Sequence, residues 1–318
     1  MTSVDERARC LGTGGADREA WATARRRIER SRYCVGVDGQ RRRWRTRLLH
    51  VSTGLFALGL RSIGQYTCWR RNALAPELVE FELALPNLPT AFDGYRILHV
   101  SDTHFDTLPE LAMIARDLLA GVKVDLLALT GDVLGRHHAP LSSAVDPLAL
   151  ALSQVEVGDT RLAVLGNHDP TEMAEGLEAI GFRVLINESL MLERERAHIV
   201  VTGLDDVHSF YTKAAYDALM SDVAEFRISL VHSPEIADHA AKAGVALYLC
   251  GHTHGGQICL PGGRALLTGL TRCKHAACGL WNEGAMLGYT SRGLGSSWPP
   301  LRKNCHPELT VITLRCTA

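Results

Sequence analysis

From about Leu78 onward the chain is built of short apolar runs, each ending in a polar, glycine-containing cluster. The clearest runs are YRILHV, DLLALT, RLAVLG, FRISLVH and ALYLCG. Their length and bulky aliphatic content predict buried strands, and the polar clusters predict loops at the strand ends. Stretches with helical spacing separate several of them, over residues 108–120, 141–155, 171–179 and 234–243. This alternation predicts an α/β domain. Two regions, Arg183 to Asp205 and Met286 to Arg315, read instead as consecutive strands joined by turns. The sheet is therefore expected to be mixed rather than purely parallel. No internal repeat or low-complexity tract interrupts the pattern, and residues 76–318 are read as one catalytic domain.

The part before that domain has a different character. Residues 1–47 hold thirteen arginines against six acidic residues, a formal +7 on a chain whose net charge is -1, which leaves about -8 on the remainder. The near-neutral total argues against a wholesale nucleic-acid binder, and no specific nucleic-acid contact is expected. A basic end on an acidic body suits a membrane surface, an acidic partner or RNA, whereas the plainer reading is a solvated, partly disordered tail. Residues 48–75 form a second, apolar segment. Its apolar stretch from Leu48 to Leu60 is thirteen residues long and interrupted by His50, whereas a spanning helix needs about twenty. Its arginines lie deep inside the chain and no small-residue cleavage site follows, so it does not read as a signal peptide. Two placements fit equally: a helix in the membrane interface, making contact through residues 41–60, or an amphipathic helix packed on the domain. The expected location is the cytoplasm or the periphery of a membrane.

Nine cysteines, six of them between Cys250 and Cys316, do not describe a disulfide framework. Cys273, His275 and Cys278 have the look of a zinc knuckle but lack a second ligand pair at regular spacing, so free thiols are expected.

The polar clusters at the strand ends are SDTHF, TGDVLG, LGNHDP, VHSP and CGHTHGGQ. In an open α/β sheet such loops lie side by side, so residues distant in sequence converge on one cleft. Aspartates mixed with histidines suit zinc, manganese or iron rather than calcium. In Asp102-Thr103-His104 and His252-Thr253-His254 the two-residue spacing would point both side chains the same way if the segments were extended.

In their order, D-x-H, G-D, G-N-H-D, V-H and G-H-T-H resemble the calcineurin-like metallophosphoesterases, from Tyr95 to nearly the end of the chain. The resemblance implies a four-layer αββα sandwich of two mixed sheets flanked by helices. It implies two divalent ions, manganese, zinc, iron or magnesium, one held by Asp102, His104 and His254 and the other by Asn167, His232 and His252, with Asp132 between them. It also implies hydrolysis of a phosphoester by in-line attack of hydroxide shared by the metals, without a phosphoenzyme. His168 would meet the phosphate and protonate the leaving oxygen, and Asp169 would orient the His168 ring.

Three further features resemble the membrane-associated bacterial branch, which includes enzymes similar to UDP-diacylglucosamine pyrophosphatase and lipid head-group phosphodiesterases. They are the GGQ that follows His254, the segment SRGLGSSWPPLRKNCHPELTVITL and the apolar leader. By that resemblance the substrate is a lipid-linked phosphodiester or pyrophosphate. Gln257 is expected to point toward it, and Ser291–Ser297 to form a flexible wall from which Arg292 reaches a phosphate; a structural turn with a solvated arginine is the alternative. Trp298 with Pro299 and Pro300 forms either an apolar rim or a packing contact. His137 and His138 follow the GDVLG loop, at a place to line the cleft. The same metal core also suits a soluble nucleotide phosphodiesterase or a phosphomonoesterase. A non-catalytic metal-binding scaffold is disfavoured by the complete ligand set together with His168.

Overall fold

The strand KVDLLAL shows why the apolar runs become strands. Leu126 and Ala128 point into one hydrophobic cluster, and Leu127 and Leu129 into another. A strand buried on both faces has no position left for polar side chains, hence the nearly continuous apolar run.

The computed structural model describes residues 8–10, 15–33, 52–137, 139–221 and 225–317. The chain opens with β1 (Ala8–Cys10), α1 (Gly15–Tyr33), helical residues 52–62 (α2) and α3 (Tyr66–Ala73). Next come β2 (Glu77–Leu85), β3 (Arg96–Val100), α4 (Leu111–Leu118), β4 (Lys123–Leu129), α5 (Ser142–Ala151), β5 (Glu156–Ala163) and α6 (Met173–Ala179). The second half holds β6 (Arg183–Val184), β7 (Glu188–Arg194), β8 (Ala197–Gly203), α7 (Lys213–Met220), β9 (Phe226–Leu230) and α8 (Ala237–Lys242). The chain closes with β10 (Leu247–Cys250), β11 (Gly279–Glu283), β12 (Met286–Thr290) and β13 (Glu308–Cys316).

These strands make two mixed sheets, β1-β7-β8-β9-β10-β12-β11 and β2-β13-β3-β4-β5-β6. Within them β3, β4 and β5 run parallel, as do β8, β9, β10 and β12. Ile97, Leu126 and Leu162 of one sheet meet Val201, Ile228 and Leu249 of the other in the central core. Helices α4, α5 and α6 cover the outer face of one sheet, and α8 packs outside the other. The fold is therefore the four-layer αββα sandwich. The strands β3, β4 and β5 of one sheet and β8, β9, β10 and β12 of the other end in the loops that hold the polar clusters, whereas the parallel pair β2 and β13 runs antiparallel to β3.

Three segments depart from the sequence reading. Helix α7 was not anticipated; its start is set by Thr212, whose hydroxyl accepts a hydrogen bond from the Ala215 amide at 3.3 Å. Residues 291–307 form no strand, because this stretch folds back over the strand ends: the Leu294 amide donates to Ser101 O at 3.0 Å and the Gly295 amide to Asp102 O at 2.7 Å. Residues 15–33, read as part of a tail, form a helix docked on the domain. Ion pairs join Arg18 to Glu178 at 2.6 Å and Arg26 to Glu172 at 2.9 Å, and Arg25 is buried with 1% of its surface exposed. A docked helix follows because these arginines have carboxylates waiting on α6 and the β8 loop. Residues 8–10 of the leader form β1, paired antiparallel with β7, and its remaining residues, including 41–47, lie outside the described residues. No helix among the described residues is long and apolar enough to cross a membrane.

Candidate metal centre

Each strand end delivers one polar cluster: β3 gives Asp102 and His104, β4 gives Asp132, and β5 gives Asn167, His168 and Asp169. From the other sheet β9 gives His232, and β10 gives His252 and His254. The loops turn sharply. Asp102, His104, Asp132, His252 and His254 all have positive φ, between 39° and 72°. Left-handed backbone at five non-glycine positions in one site is strain held by the surrounding fold, tolerated because Asp and His enter that region more readily than most residues. This corrects the extended geometry expected for the Asp102–His104 and His252–His254 pairs: a tight left-handed loop aims them. The glycines in the motifs permit the close approach of these loops. A Cβ on Gly166 would collide with the Asp132 carboxylate, and one on Gly251 with Ser101 Oγ and the Asp102 carboxylate.

Two groups of ligand-type side chains result, Asp102 with His104 and His254, and Asp132 with His232 and His252. In the first group His104 Nε2 lies 3.2 Å from His254 Nε2, which is 3.6 Å from Asp102 Oδ1. In the second His232 Nε2 lies 3.2 Å from Asp132 Oδ2, 3.2 Å from Asn167 Oδ1 and 3.2 Å from His252 Nδ1. Asp132 Oδ2 is also 4.0 Å from His104 Nε2, so this carboxylate lies between the groups.

The donor chemistry of these atoms fits a cation. The Nδ1 of His104 faces the Leu134 carbonyl at 3.0 Å, and the Nδ1 of His232 faces the Thr130 carbonyl at 2.8 Å. Each Nδ1 must therefore carry a proton and donate it, so Nε2 of the neutral ring is a lone pair facing other acceptors, and in His232 it is placed to take up either a second proton shared with Asp132 or a cation. Asp102 Oδ1 is buried and has no hydrogen-bond partner. Lone pairs converging in a water-poor place are reconciled by a positive charge, either a proton or a metal ion.

The electrostatics agree. Burial, opposed by His232 and reinforced by Asp132, lifts the Asp102 carboxyl to about 6. Burial also lowers His104 to about 4 and His252 to about 3, keeping them neutral as ligands must be. For Asp132 burial acts upward, but the imidazoles of His232, His168 and His104 hold the carboxyl well below its usual range. His232 is raised well above 6.5 because the charge of Asp132 outweighs burial.

Residues 95–256 match the calcineurin-like phosphoesterase family. The chain belongs to that family. It is 33% identical over 258 residues to the uncharacterized metallophosphoesterase YkuE of Bacillus subtilis, covering 76% of this chain and 86% of that one. It is 30% identical over 237 residues to phosphodiesterase YaeI of Escherichia coli, covering 69% and 82%. A transmembrane protein with a metallophosphoesterase domain from Danio rerio is 27% identical over 267 residues, 76% of this chain and 58% of that one. The protein is accordingly a metal-dependent phosphoester hydrolase with two candidate metal-binding groups.

The other expected residues are placed as follows. His168 lies beside this phosphoesterase centre. Its amide donates to Asp132 Oδ1 at 2.8 Å, its Nδ1 faces the Gly135 carbonyl at 2.9 Å, and its ring stands 5.4 Å from that of His104. Asp169 does not touch that ring. Its carboxylate accepts the amides of Asp132, Gly166, Val133 and Leu134 at 2.8 to 3.1 Å, so it anchors loops instead of orienting His168. Gln257 is bound to the neighbouring wall rather than left free for a substrate: its Nε2 donates to Ser297 O at 3.1 Å and Pro299 O at 2.9 Å, and its Oε1 accepts the Ser297 amide at 2.9 Å. Arg292 is held by Glu308 and by Glu77 at 2.9 Å, both carboxylates meeting its charge before any phosphate could. The 291–297 wall is pinned rather than flexible.

Sequence reasoning missed several residues. Arg302, fully buried, donates to the carbonyls of Arg292 at 2.7 Å and Gly293 at 3.1 Å and approaches His254 Nδ1 at 3.4 Å, so it fastens the wall to the metal-centre loop. Ser297 Oγ lies 3.0 Å from His254 Nε2. His137 stacks on His168 at 4.7 Å, and His208, bonded to Glu235 at 2.7 Å, packs on His252 at 4.4 Å between ring centres. His138 lies outside the described residues. His137 stands beside the centre, where its place after the GDVLG loop put it, and of the others only Ser297, at the end of the Ser291–Ser297 segment, left a signal in the sequence.

Proposed function

We propose that this phosphoesterase is a phosphodiesterase or pyrophosphatase that cleaves a lipid-linked substrate at a membrane surface. The observation that carries the reading is the exposure of large apolar side chains around the GHTH side of the centre. Leu55 and Leu58 on α2 are 64% and 61% exposed, Leu267 is 82% exposed and Trp298 is 58% exposed. Contacts connect these places to the site. Phe56 meets the Trp69 ring at 5.9 Å, Trp69 O accepts the Arg302 amide at 3.0 Å, and the Leu266 amide donates to Ile258 O at 3.4 Å. Trp298 follows Ser297, whose hydroxyl faces His254. Apolar surface of this kind, rimmed by polar residues, suits an acyl boundary. The names of the relatives, a phosphodiesterase and transmembrane proteins with this domain, support the same reading.

Asp102, His104 and His254 would hold one cation, and Asn167, His232 and His252 the other, with Asp132 shared. Divalent cations held there supply positive charge for the phosphoryl oxygens and make water a better nucleophile near neutral pH. The chain's own part is to orient and to move a proton. With Nδ1–H donated to the Gly135 carbonyl, the His168 ring is held fixed, and as the imidazolium it gives the Nε2 proton to the departing oxygen and is left neutral, with its proton on Nδ1. Ser297 and the pinned wall close one side of the cleft.

The reading is tested by comparing hydrolysis of bis-p-nitrophenyl phosphate with hydrolysis of a phosphatidylglycerol head group in vesicles, using the protein and its L266E/L267E variant. The expected result is unchanged cleavage of the soluble diester with at least about a tenfold loss on vesicles, from two apolar anchors removed at roughly 1.5 kcal/mol or more each. Equal activity of both proteins on vesicles would contradict the membrane part.

A further inference from the structure

We infer that Arg25, carried on α1, is a positioning residue for the Asn167–His168 turn, which makes this N-terminal helix a working part of the centre. The inference rests on the assignment of Asn167 and His168 given above. Its basis is geometric. Arg25 Nη2 donates to Gly166 O at 3.0 Å and to Asp169 O at 2.8 Å, the two carbonyls that bracket Asn167 and His168. Its Nη1 pairs with the Asp205 carboxylate, whose other oxygen accepts Trp21 Nε1 at 2.7 Å. The guanidinium lies over the Phe210 ring, 3.9 Å from its centre.

One turn further along α1, Glu29 Oε1 accepts both the amide and the hydroxyl of Thr171, at 2.9 and 2.8 Å. The helix thus grips both ends of the segment from Gly166 to Thr171. Helix α1 lies outside the residues that match the family, so the family match assigns it nothing.

The chemistry of the contact separates positioning from simple docking. Burying a guanidinium is costly, the more so here because Arg25 Nε makes no hydrogen bond and only faces Glu29 Oε1 at 3.5 Å, and apolar residues would dock a helix more cheaply. Arg25 instead uses its rigid fork to read two carbonyls and a carboxylate at once. The exposed pairs Arg18–Glu178 and Arg26–Glu172 already tie the helix down without touching the turn. Asn167 Oδ1 sits 3.2 Å from His232 Nε2 and the His168 amide 2.8 Å from Asp132. A shift of the turn therefore moves a ligand and a proton donor together.

The test uses the full chain as R25A, R25K and, as a docking control, R26A. Hydrogen exchange of the amides from Gly166 to Asp169 is followed in chelator-treated protein, and kcat and KM for bis-p-nitrophenyl phosphate are measured with saturating manganese. R25A is expected to speed exchange at these amides by about tenfold over R26A and to lower kcat by about 10- to 100-fold, with KM within about twofold. R25K, which keeps the charge but not the fork, is expected to fall between; it also decides the matter if R25A does not fold. Exchange and kcat in R25A or R25K equal to those of R26A would overturn the inference and leave α1 as a docked appendage. If no form of the protein cleaves diesters, the phosphodiesterase reading falls, while exchange still decides whether Arg25 holds the turn.

Discussion

Asp169 offers a sharp test, because its four hydrogen bonds allow a magnitude to be worked out. One carboxylate oxygen accepts Asp132 N at 2.8 Å and Gly166 N at 2.9 Å, and the other accepts Val133 N at 2.9 Å and Leu134 N at 3.1 Å. In D169N one side of the group becomes an NH2 facing two N–H donors. Two hydrogen bonds to a charged acceptor are lost, at about 1.5 to 3 kcal/mol each, so the gross cost is about 3 to 6 kcal/mol. Part of this returns. Burial and the neighbouring Asp132 raise the Asp169 pKa, so the charge is itself disfavoured, and removing it relieves both effects. A net loss of at least about 2 kcal/mol remains, or a fall in melting temperature of about 4 to 8 °C for a domain of this size. Because these amides belong to the loops of Asp132 and Asn167, manganese binding should weaken in the same variant. The assay is thermal denaturation of metal-free protein by circular dichroism, followed by a manganese titration. A variant with unchanged melting and metal affinity, altered only in the pH profile of turnover, would refute the reasoning and return Asp169 to the His168 ring.

Other perturbations address separate parts of the site. H168A should bind two metal ions normally, since its amide contact with Asp132 survives, while kcat falls by about 10² to 10⁴; loss of metal in this variant would mean the ring is a ligand. Metal binding should tighten as pH rises. The charge of Asp132 holds the His232 pKa well above its ordinary value against the effect of burial, so the ion held by His232 competes with a proton there, and its affinity should gain up to about tenfold per pH unit. Manganese titrations at pH 6 and pH 8 check the sign, and tighter binding at pH 6 would contradict it. G251A places a methyl against Ser101 and the Asp102 carboxylate; it should cost about 1 to 3 kcal/mol in a denaturant melt and loosen metal at the first group, whereas unchanged binding would show that the loops have room.

Much of the architecture was legible because it follows from burial. The apolar cores of YRILHV and DLLALT follow from β3 and β4 being covered on both faces, and glycines such as Gly166 and Gly251 mark where loops press together. The helix over Leu108 to Ala120 and the strand pair after Arg183 follow the same logic. What stayed hidden depends on partners far away in sequence. Gln257 and Arg292 read as substrate contacts because a polar side chain beside a motif has no visible alternative partner; Ser297, Pro299, Glu77 and Glu308 supplied one. Arg25 and Arg302 looked like ordinary surface charges, since nothing local distinguishes an arginine that will be buried among carbonyls. The left-handed backbone at Asp102 and His104 was equally invisible, because the alternation of side chains describes strands and not the strained loops beyond them.

The central claim is that Asp102, His104, His254, Asp132, Asn167, His232 and His252 hold two cations that drive phosphodiester cleavage. The most direct measurement is metal content alongside hydrolysis of bis-p-nitrophenyl phosphate, for chelator-stripped protein and for D132N, with manganese, zinc, iron or magnesium restored. The account predicts two ions per chain, activity regained on restoration, and loss of that metal-dependent activity in D132N. Cleavage that survives stripping, or a D132N protein as active as the parent, would contradict it.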